Sequence, residues 1–157
     1  IVNGLVGSEM CIRDRFRNEH KLEIGAQTAE QIKISVGSAM RTRSRNILVK
    51  GRDLVSGIPK TIDIRTDEIR QALKDPVKRI LDVIKDALEA TPAELSSDII
   101  DRGIVLAGGG SQLRGLDQVL REKTGVPVNV ADEPHLAIVK GCGAVIEDLE
   151  KYKHVLL

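Results

Sequence analysis

The order of the predicted elements indicates an α/β fold. From Thr66 onward, helical patterns alternate with short strands, and residues 104–107 form one strand that is apolar throughout. An all-apolar run of this length is typical of a strand buried on both faces of a sheet. Upstream, two strand patterns separated by a long loop predict a hairpin. The sequence therefore predicts a mixed or parallel sheet with helices on its faces, and a smaller α+β subdomain inserted before it.

The charge balance and the cysteines restrict the class of protein. The chain of 157 residues carries 24 basic and 23 acidic residues, for a net charge of +1. A dedicated nucleic-acid-binding protein usually shows a strong basic excess, so we expect no nucleic-acid partner. No stretch approaches the roughly 20 apolar residues of a membrane-spanning helix. Cys11 and Cys142 have neither metal-type spacing nor a disulfide framework, which favours a reducing, intracellular compartment.

The first residues lack the pattern of an ordered element. Residues 1–15 show no clean helical or strand period, and they match neither a secretory signal nor an amphipathic anchor. The string from Gly7 to Arg15 resembles translated read-through of a sequencing adaptor. We therefore predict that residues 1–16 form a non-native or disordered leader outside the fold. A natural, poorly ordered leader is the alternative. In both cases we expect the recognisable part of the sequence to start partway through a domain.

Residues 17–65 are predicted to form part of the small inserted subdomain. Apolar residues recur at helical spacing over residues 28–36 and predict a helix. Strands are predicted at 46–50 and 60–65, joined by the loop 51–59. Between the helix and the hairpin, three arginines alternate with small polar residues. These are Arg41, Arg43 and Arg45. They indicate an exposed turn, and a contact with a partner is the alternative.

The lobe predicted over residues 66–157 begins with two helices. Thr66 is a favourable N-cap, and a continuous apolar face follows it at spacings of three and four. Pro76 interrupts this pattern, so a kink or a restart is expected at Asp75. The second helix is expected to start with a capping box at Thr91 and to stop near Gly103.

The remaining elements alternate between strand and helix. The apolar strand ends in three glycines, after which Ser111 is predicted to cap a helix that stops at Gly125. Alternating valines predict a strand over residues 126–130. A last helix is predicted to open at Pro134 and to run to about Lys151.

The segment from the apolar strand through the glycines is the best candidate for a binding site. A glycine-rich turn at a strand end lets a ligand approach the backbone closely, and the next helix supplies free amide groups. The pattern is not a phosphate-binding P-loop, because no Gly-Lys-Ser/Thr follows. It is not the dinucleotide fingerprint either, because Leu113 stands where the third glycine should be. A plain tight turn between strand and helix is the alternative.

Four segments together resemble one family. Residues 104–117 resemble the adenosine motif of the actin and heat-shock-chaperone ATPase superfamily. Residues 24–39 resemble the adenine-contacting helix of its rod-shape-determining bacterial actins, the MreB family. Residues 51–62 resemble the same branch and are the most diagnostic, because chaperones and eukaryotic actins lack them. Residues 139–144 resemble the second connecting helix, and the whole resemblance covers roughly residues 18–157. It implies the C-terminal lobe of an actin-like ATPase fold.

The resemblance implies that ATP binds in a cleft between two lobes. Glu30 and Lys33, which lie one helical turn apart, would bracket the adenosine. The glycines would let the backbone pass beside the base and the ribose. An exposed ion pair on a solvated helix is the alternative for Glu30 and Lys33. The implied cofactor-binding residues are Glu30, Lys33, Gly108, Gly109, Gly110 and Ser111.

The resemblance also implies a function for the parent protein. Members of this family form filaments, bind ATP with Mg²⁺, and maintain rod cell shape by organising cell-wall synthesis. We therefore expect a cytoplasmic protein, peripheral to the inner membrane face. Its partners would be other copies of itself, proteins of wall synthesis and the membrane surface, the last through a half not present here. A sugar or acetate kinase, or a chaperone-type ATPase, is the alternative within the same superfold.

No catalytic residue is expected in this chain. In the family, the two phosphate-binding loops, the first connecting segment and the catalytic acidic residues all precede the segment that carries the resemblance. We therefore predict that the purified chain does not hydrolyse ATP. An assay of phosphate release tests this, and measurable turnover would contradict it.

Overall fold

The computed structural model describes residues 7–155, and it contains six α-helices and five strands over that range. Two short 3₁₀ segments, Gly109–Gln112 and Lys153–Val155, complete the secondary structure of the described residues. In chain order the elements are α1 (Ser8–His20), β1 (Leu22–Glu23), α2 (Ala26–Val36), β2 (Asn46–Asp53), β3 (Pro59–Arg65), α3 (Thr66–Glu89), α4 (Ala93–Arg102), β4 (Ile104–Leu106), α5 (Leu116–Thr124), β5 (Val128–Val130) and α6 (Ala137–Glu147).

The strands form two small sheets. β1, β2 and β3 make an antiparallel sheet in that order, and β4 pairs with β5 in parallel. The predicted hairpin is confirmed, with Asn46 opposite Arg65 and Arg52 opposite Pro59. The predicted parallel pairing is confined to β4 and β5. From α3 onward, helices and strands follow one another in the order expected from the sequence.

The loop of the hairpin is shorter than predicted because Asp53 organises the turn. Its Oδ1 accepts hydrogen bonds from the amides of Val55 and Ser56 at 2.8 and 2.9 Å. Its Oδ2 lies 2.8 Å from the Lys60 ammonium. The hydrogen bond from Lys60 and those from the two amides hold the pKa of Asp53 well below its usual range. Both strands therefore extend to the turn.

Helix α1 corrects the prediction of a leader. Residues 8–16 lie within α1, where Ile12 is 0% exposed and Phe16 is 1% exposed. The helix packs against α2 and α3, and Nε of Arg13 donates a hydrogen bond to the Ile24 carbonyl at 3.2 Å. The prediction that residues 1–16 lie outside the fold is therefore wrong for residues 8–16. Residues 1–6 lie outside the described residues.

Helix α3 is one helix of 24 residues, so the predicted restart before Pro76 is wrong. Ile69 and Leu73 are fully buried and Val77 is 7% exposed, so one apolar face continues across the proline. Burial of that face offsets the hydrogen bond that Pro76 cannot donate. The predicted cap also differs, because Thr66 Oγ1 accepts a hydrogen bond from the Arg45 amide at 3.2 Å instead of capping the helix.

Two other helix starts differ from prediction. Thr91 Oγ1 donates to the Ala87 carbonyl at 2.7 Å, so it closes the end of α3 and α4 starts without the expected capping box. Helix α5 begins at Leu116 and not at Ser111, because a 3₁₀ turn intervenes. The predicted stops are confirmed, since Gly103 and Gly125 follow α4 and α5 with φ of 76° and 72°.

The buried core and the exposed apolar residues lie in different parts of the chain. One hydrophobic cluster joins α1, α2, the three-stranded sheet, α3, α5 and β5. Val105 of β4 is 65% exposed, so the prediction of a strand buried on both faces is wrong. The sheet of β4 has two strands among the described residues, and the face that carries Val105 is uncovered. The last helix is also shorter than predicted, and its Ile138, Val139 and Ile146 are exposed.

The predicted boundary between residues 65 and 66 remains a prediction, and the hydrophobic cluster contains residues from both sides of it. Within residues 7–155, no helix is long and apolar enough to cross a membrane.

Candidate functional site

A cleft of about 150 Å³ lies where the C-terminal half of α2 meets the glycine turn after β4. Helix α2 supplies one wall and the turn supplies the other. The cleft therefore brings together two segments that are more than 70 residues apart in the chain. The lining residues are Lys33, Ile34, Gly37, Gly109, Gly110, Gln112, Leu113 and Arg114.

The glycine turn leaves open space next to its backbone. Gly108 has a φ of +83°, a conformation that side chains disfavour. A Cβ atom built on Gly108 or on Gly109 would meet no protein atom within 4 Å. The Gly108 amide donates to the Pro134 carbonyl at 2.6 Å, which fixes the turn. The glycines thus keep the wall of the cleft clear, although no neighbouring protein atom would exclude a side chain there.

Ser111 closes the turn from inside. Its Oγ donates to the Gly108 carbonyl at 2.7 Å, and the residue is 7% exposed. Ser111 is predicted as a binding residue at a helix start, but it does not line the cleft and α5 starts later. Its hydroxyl therefore acts on the shape of the turn.

Lys33 and Glu30 have different environments. Lys33 lines the cleft, and its ammonium forms an ion pair with Glu9 of α1. Glu30 is exposed on α2 and does not line the cleft. Burial alone would raise the pKa of Glu9. The hydrogen bond and the charge of Lys33, together with other hydrogen bonds, outweigh burial, so the pKa of Glu9 is lowered. The structure thus brings Lys33, Gly109 and Gly110 together.

The end of α2 is held directly against the segment after the glycines. Ser38 forms a parallel bridge with Arg114, and the Ala39 amide donates to the Arg114 carbonyl at 2.9 Å. The Ser38 hydroxyl donates to the same carbonyl at 3.2 Å. A Cβ on Gly37 would lie 2.3 Å from the Lys33 carbonyl oxygen of the same helix and 3.2 Å from Cδ1 of Leu113, so the end of α2 requires glycine at this position. These contacts set the width of the cleft.

Gly115 gives a test of this packing. Its φ is +74°, and a Cβ would lie 2.6 Å from Cγ of Met40. We expect Gly115→Ala to reduce the free energy of unfolding by about 2–4 kcal/mol, from backbone strain and overpacking together. Urea denaturation of the purified chain measures it.

The matched control is Gly125→Ala. Gly125 has a φ of +72°, but a Cβ there would meet nothing within 4 Å. It should therefore cost only the backbone strain, about 1–2 kcal/mol. Equal losses in the two variants would show that the segment does not pack as described.

Sequence reasoning assigned no role to five residues of the cleft. Ile34 and Gly37 lie inside the segment 24–39 that carries the family resemblance, but no role was predicted for either of them. Gln112, Leu113 and Arg114 lie inside the glycine motif, so the motif located them without assigning a role. Within residues 7–155, no group of three or more His, Cys, Asp or Glu side chains could hold a metal ion.

The sequence matches a known family model. The model described as MreB/Mbl protein matches residues 7–154. The cell shape-determining protein Mbl of Bacillus subtilis is 44% identical over 144 residues, which is 91% of this chain and 43% of that protein. The cell shape-determining protein MreB of Escherichia coli K12 is 43% identical over 143 residues, 90% of this chain and 41% of that protein. The chain thus spans less than half the length of these relatives.

Solved structures agree with the predicted fold. MreB5 of Spiroplasma citri bound to ADP is 32% identical with a TM-score of 0.86, covering 94% of this chain and 45% of that one. The filament protein MamK, as a double helical filament, is 21% identical with a TM-score of 0.65, over 82% of this chain and 39% of its own, and is similar in fold alone. The prediction of an actin-like ATPase fold is confirmed. The kinase and chaperone alternatives are not favoured, because the relatives are cell shape-determining proteins.

Proposed function

The chain belongs to the MreB/Mbl family, and from that membership we propose that the cleft between α2 and the glycine turn binds the adenosine part of ATP. The observation that carries the proposal is the juxtaposition of Lys33 with Gly109 and Gly110 around an open cleft. The related MreB5 of Spiroplasma citri binds ADP and AMPPNP in its solved structures, which supports a nucleotide. A cleft of about 150 Å³ is smaller than a complete nucleotide site, so only part of the ligand enters it.

Each wall has a separate role in this proposal. The bare backbone at Gly109 and Gly110 admits the flat base and the ribose at van der Waals distance. Lys33 supplies a positive charge and a flexible hydrocarbon stem, which covers one side of the adenosine. Glu30 lies on the same helix one turn before Lys33, exposed and free to accept hydrogen bonds from ligand hydroxyl groups. Ser111 supports the turn from behind.

For the longer protein, we infer a filament-forming, ATP-binding actin homologue that organises cell-wall synthesis at the inner membrane face. Its partners would be further copies, wall-synthesis and membrane proteins, and the membrane surface. Mg²⁺ would accompany ATP there, and no residue of the described chain is assigned to it. Sedimentation of the full-length protein with ATP tests the filament. A pellet that depends on ATP is expected, and persistent solubility contradicts it.

Lys33→Ala tests the nucleotide site in the chain. We expect the affinity for ATP to fall about tenfold, because the substitution removes a charged group and the cover on one side of the ligand. Isothermal titration calorimetry measures the change.

Glu9→Gln is the control, because it breaks the ion pair of Lys33 and leaves the lysine in place. This variant should bind ATP at least as tightly as the unmodified chain. If both variants lost affinity equally, the effect would come from the packing of α1 and not from a contact between Lys33 and the ligand.

A further inference from the structure

A second cavity, of about 530 Å³, shares Arg114 with the candidate nucleotide cleft. Apart from Val36, the side chains that line it are hydrogen-bond donors. Three carry guanidinium groups and three carry hydroxyl groups. They are Arg43, Arg45, Arg114, Thr42, Ser44 and Thr66. We call this space the arginine cavity.

The charges in the arginine cavity are not neutralised from within the protein. Among residues 7–155, no carboxylate lies within 4.0 Å of the guanidinium of Arg43, Arg45 or Arg114. An arginine side chain stays protonated at all physiological pH values, so three positive charges face the same space. A ligand that supplies negative charge would therefore be favoured there.

The acidic residues closest in sequence to Thr66 are engaged elsewhere. Asp67 pairs with Arg70 at 2.9 Å. Glu68 lies 2.7 Å from His20 and also accepts a hydrogen bond from the Arg65 amide at 3.2 Å. The hydrogen bond from Arg70, with the charges of nearby arginines, lowers the pKa of Asp67 against the opposing effect of burial. These carboxylates are thus satisfied without the cavity arginines.

The backbone that carries the arginines is anchored at both ends. The Ala39 amide donates to the Arg114 carbonyl at 2.9 Å. At the other end, the Thr66 amide donates to the Arg45 carbonyl at 2.9 Å, and the Arg45 amide donates to Thr66 Oγ1 at 3.2 Å. Residues 41–45 form no helix or strand between these anchors. Hydrogen bonds therefore tie the backbone on both sides of residues 41–44 to the segments that carry Arg114 and Thr66.

We propose that the arginine cavity binds a phosphate group, independently of the nucleotide cleft. Planar guanidinium forks match phosphate oxygens in pairs, and the hydroxyls of Ser44 and Thr66 add further donors. A carboxylate offers two oxygens and one charge, whereas a phosphate offers more oxygens and up to two charges, so it uses more of these donors. The phosphate can belong to a free organic phosphate or to a lipid headgroup.

Titration of the full chain with inorganic pyrophosphate tests the proposal. We expect saturable binding by calorimetry, and a loss of affinity of at least about tenfold in the double variant Arg43→Gln/Arg45→Gln. The matched control is Arg79→Gln/Arg102→Gln, which removes the same charge from exposed positions outside the cavity. It should change the affinity by less than about twofold. Circular dichroism before titration confirms that each variant is folded.

Three outcomes overturn the proposal: no saturable binding, equal loss in the two double variants, or loss of pyrophosphate binding in Gly109→Leu, which would place the ligand in the nucleotide cleft. Gly109→Leu blocks the cleft and leaves the arginine cavity unchanged. The two proposals can therefore fail separately. Flotation with phosphatidylcholine vesicles, with and without phosphatidylglycerol, identifies the source. Flotation that needs phosphatidylglycerol and is competed by pyrophosphate supports a lipid headgroup, and pyrophosphate binding without flotation supports a free phosphate.

Discussion

Phe16→Ala is expected to lower the free energy of unfolding by about 3–5 kcal/mol. Phe16 is 1% exposed, and it belongs to the same buried cluster as Ile12, Leu22 and Ile69. Removing the ring leaves a cavity between α1, α2 and α3 in addition to the lost burial, so the cost is that of a large core side chain. Urea denaturation followed by circular dichroism measures the change at constant protein concentration.

Met10→Ala on the same helix is the matched control, because Met10 is 61% exposed. It should change stability by less than about 0.5 kcal/mol. This pair tests whether α1 belongs to the fold, since residues 7–15 resemble adaptor-derived sequence. A loss below about 1 kcal/mol for Phe16→Ala would mean that the helix does not pack in solution.

Gly109→Leu is expected to reduce the affinity for ATP at least about 100-fold, equivalent to about 2.8 kcal/mol. A Cβ on Gly109 would meet nothing within 4 Å, so a leucine side chain would enter the cleft and not the protein interior. The free energy of unfolding should change little, because no internal contact is strained. Calorimetric titration and urea denaturation of the same preparation separate the two effects.

Gly141→Leu supplies the control for this substitution. Gly141 is exposed in α6 and lies outside the cleft, and a Cβ at this position would meet nothing within 4 Å. Leucine is a better helix former than glycine, so the variant should be at least as stable as the unmodified chain. ATP affinity should not change. Equal loss of affinity in the two variants would remove the glycine turn from the binding site.

The elements whose positions depend on neighbouring residues alone were predicted correctly. The hairpin was predictable because alternating Ile62 and Ile64 fix one face of β3. The helix stops at Gly103 and Gly125 were predictable because they need only a residue that adopts a positive φ. The helix starts were less predictable. Thr66 and Thr91 are good caps by type, but the Thr66 hydroxyl accepts from the distant Arg45 amide, and the Thr91 hydroxyl donates back to the Ala87 carbonyl of the preceding helix.

Tertiary packing decided the rest. Helix α1 has a weak pattern of its own, and only contact with α2 and α3 buries Ile12 and Phe16. The strand β1 has two residues and exists because it pairs with the end of β2. The apolar composition of β4 predicted burial on both faces, but Val105 is 65% exposed. Composition does not specify whether another element covers that face of the sheet.

The candidate site shows the same division. The glycine motif pointed to its location, and its resemblance to a known motif pointed to adenosine. The pairing of Ser38 with Arg114, which brings α2 to the turn, joins residues 76 positions apart and left no trace in the sequence pattern. The pairing of Lys33 with Glu9 was equally unpredictable, because it depends on α1 being folded.

The most direct test of the nucleotide cleft is a titration of the isotopically labelled chain with ATP, followed by amide chemical shifts. Binding in the cleft predicts saturable shifts at residues 33–37 and 108–114, with small changes at β2 and β3. Shifts confined to the hairpin or to α6, or no saturable shifts at all, would contradict the account.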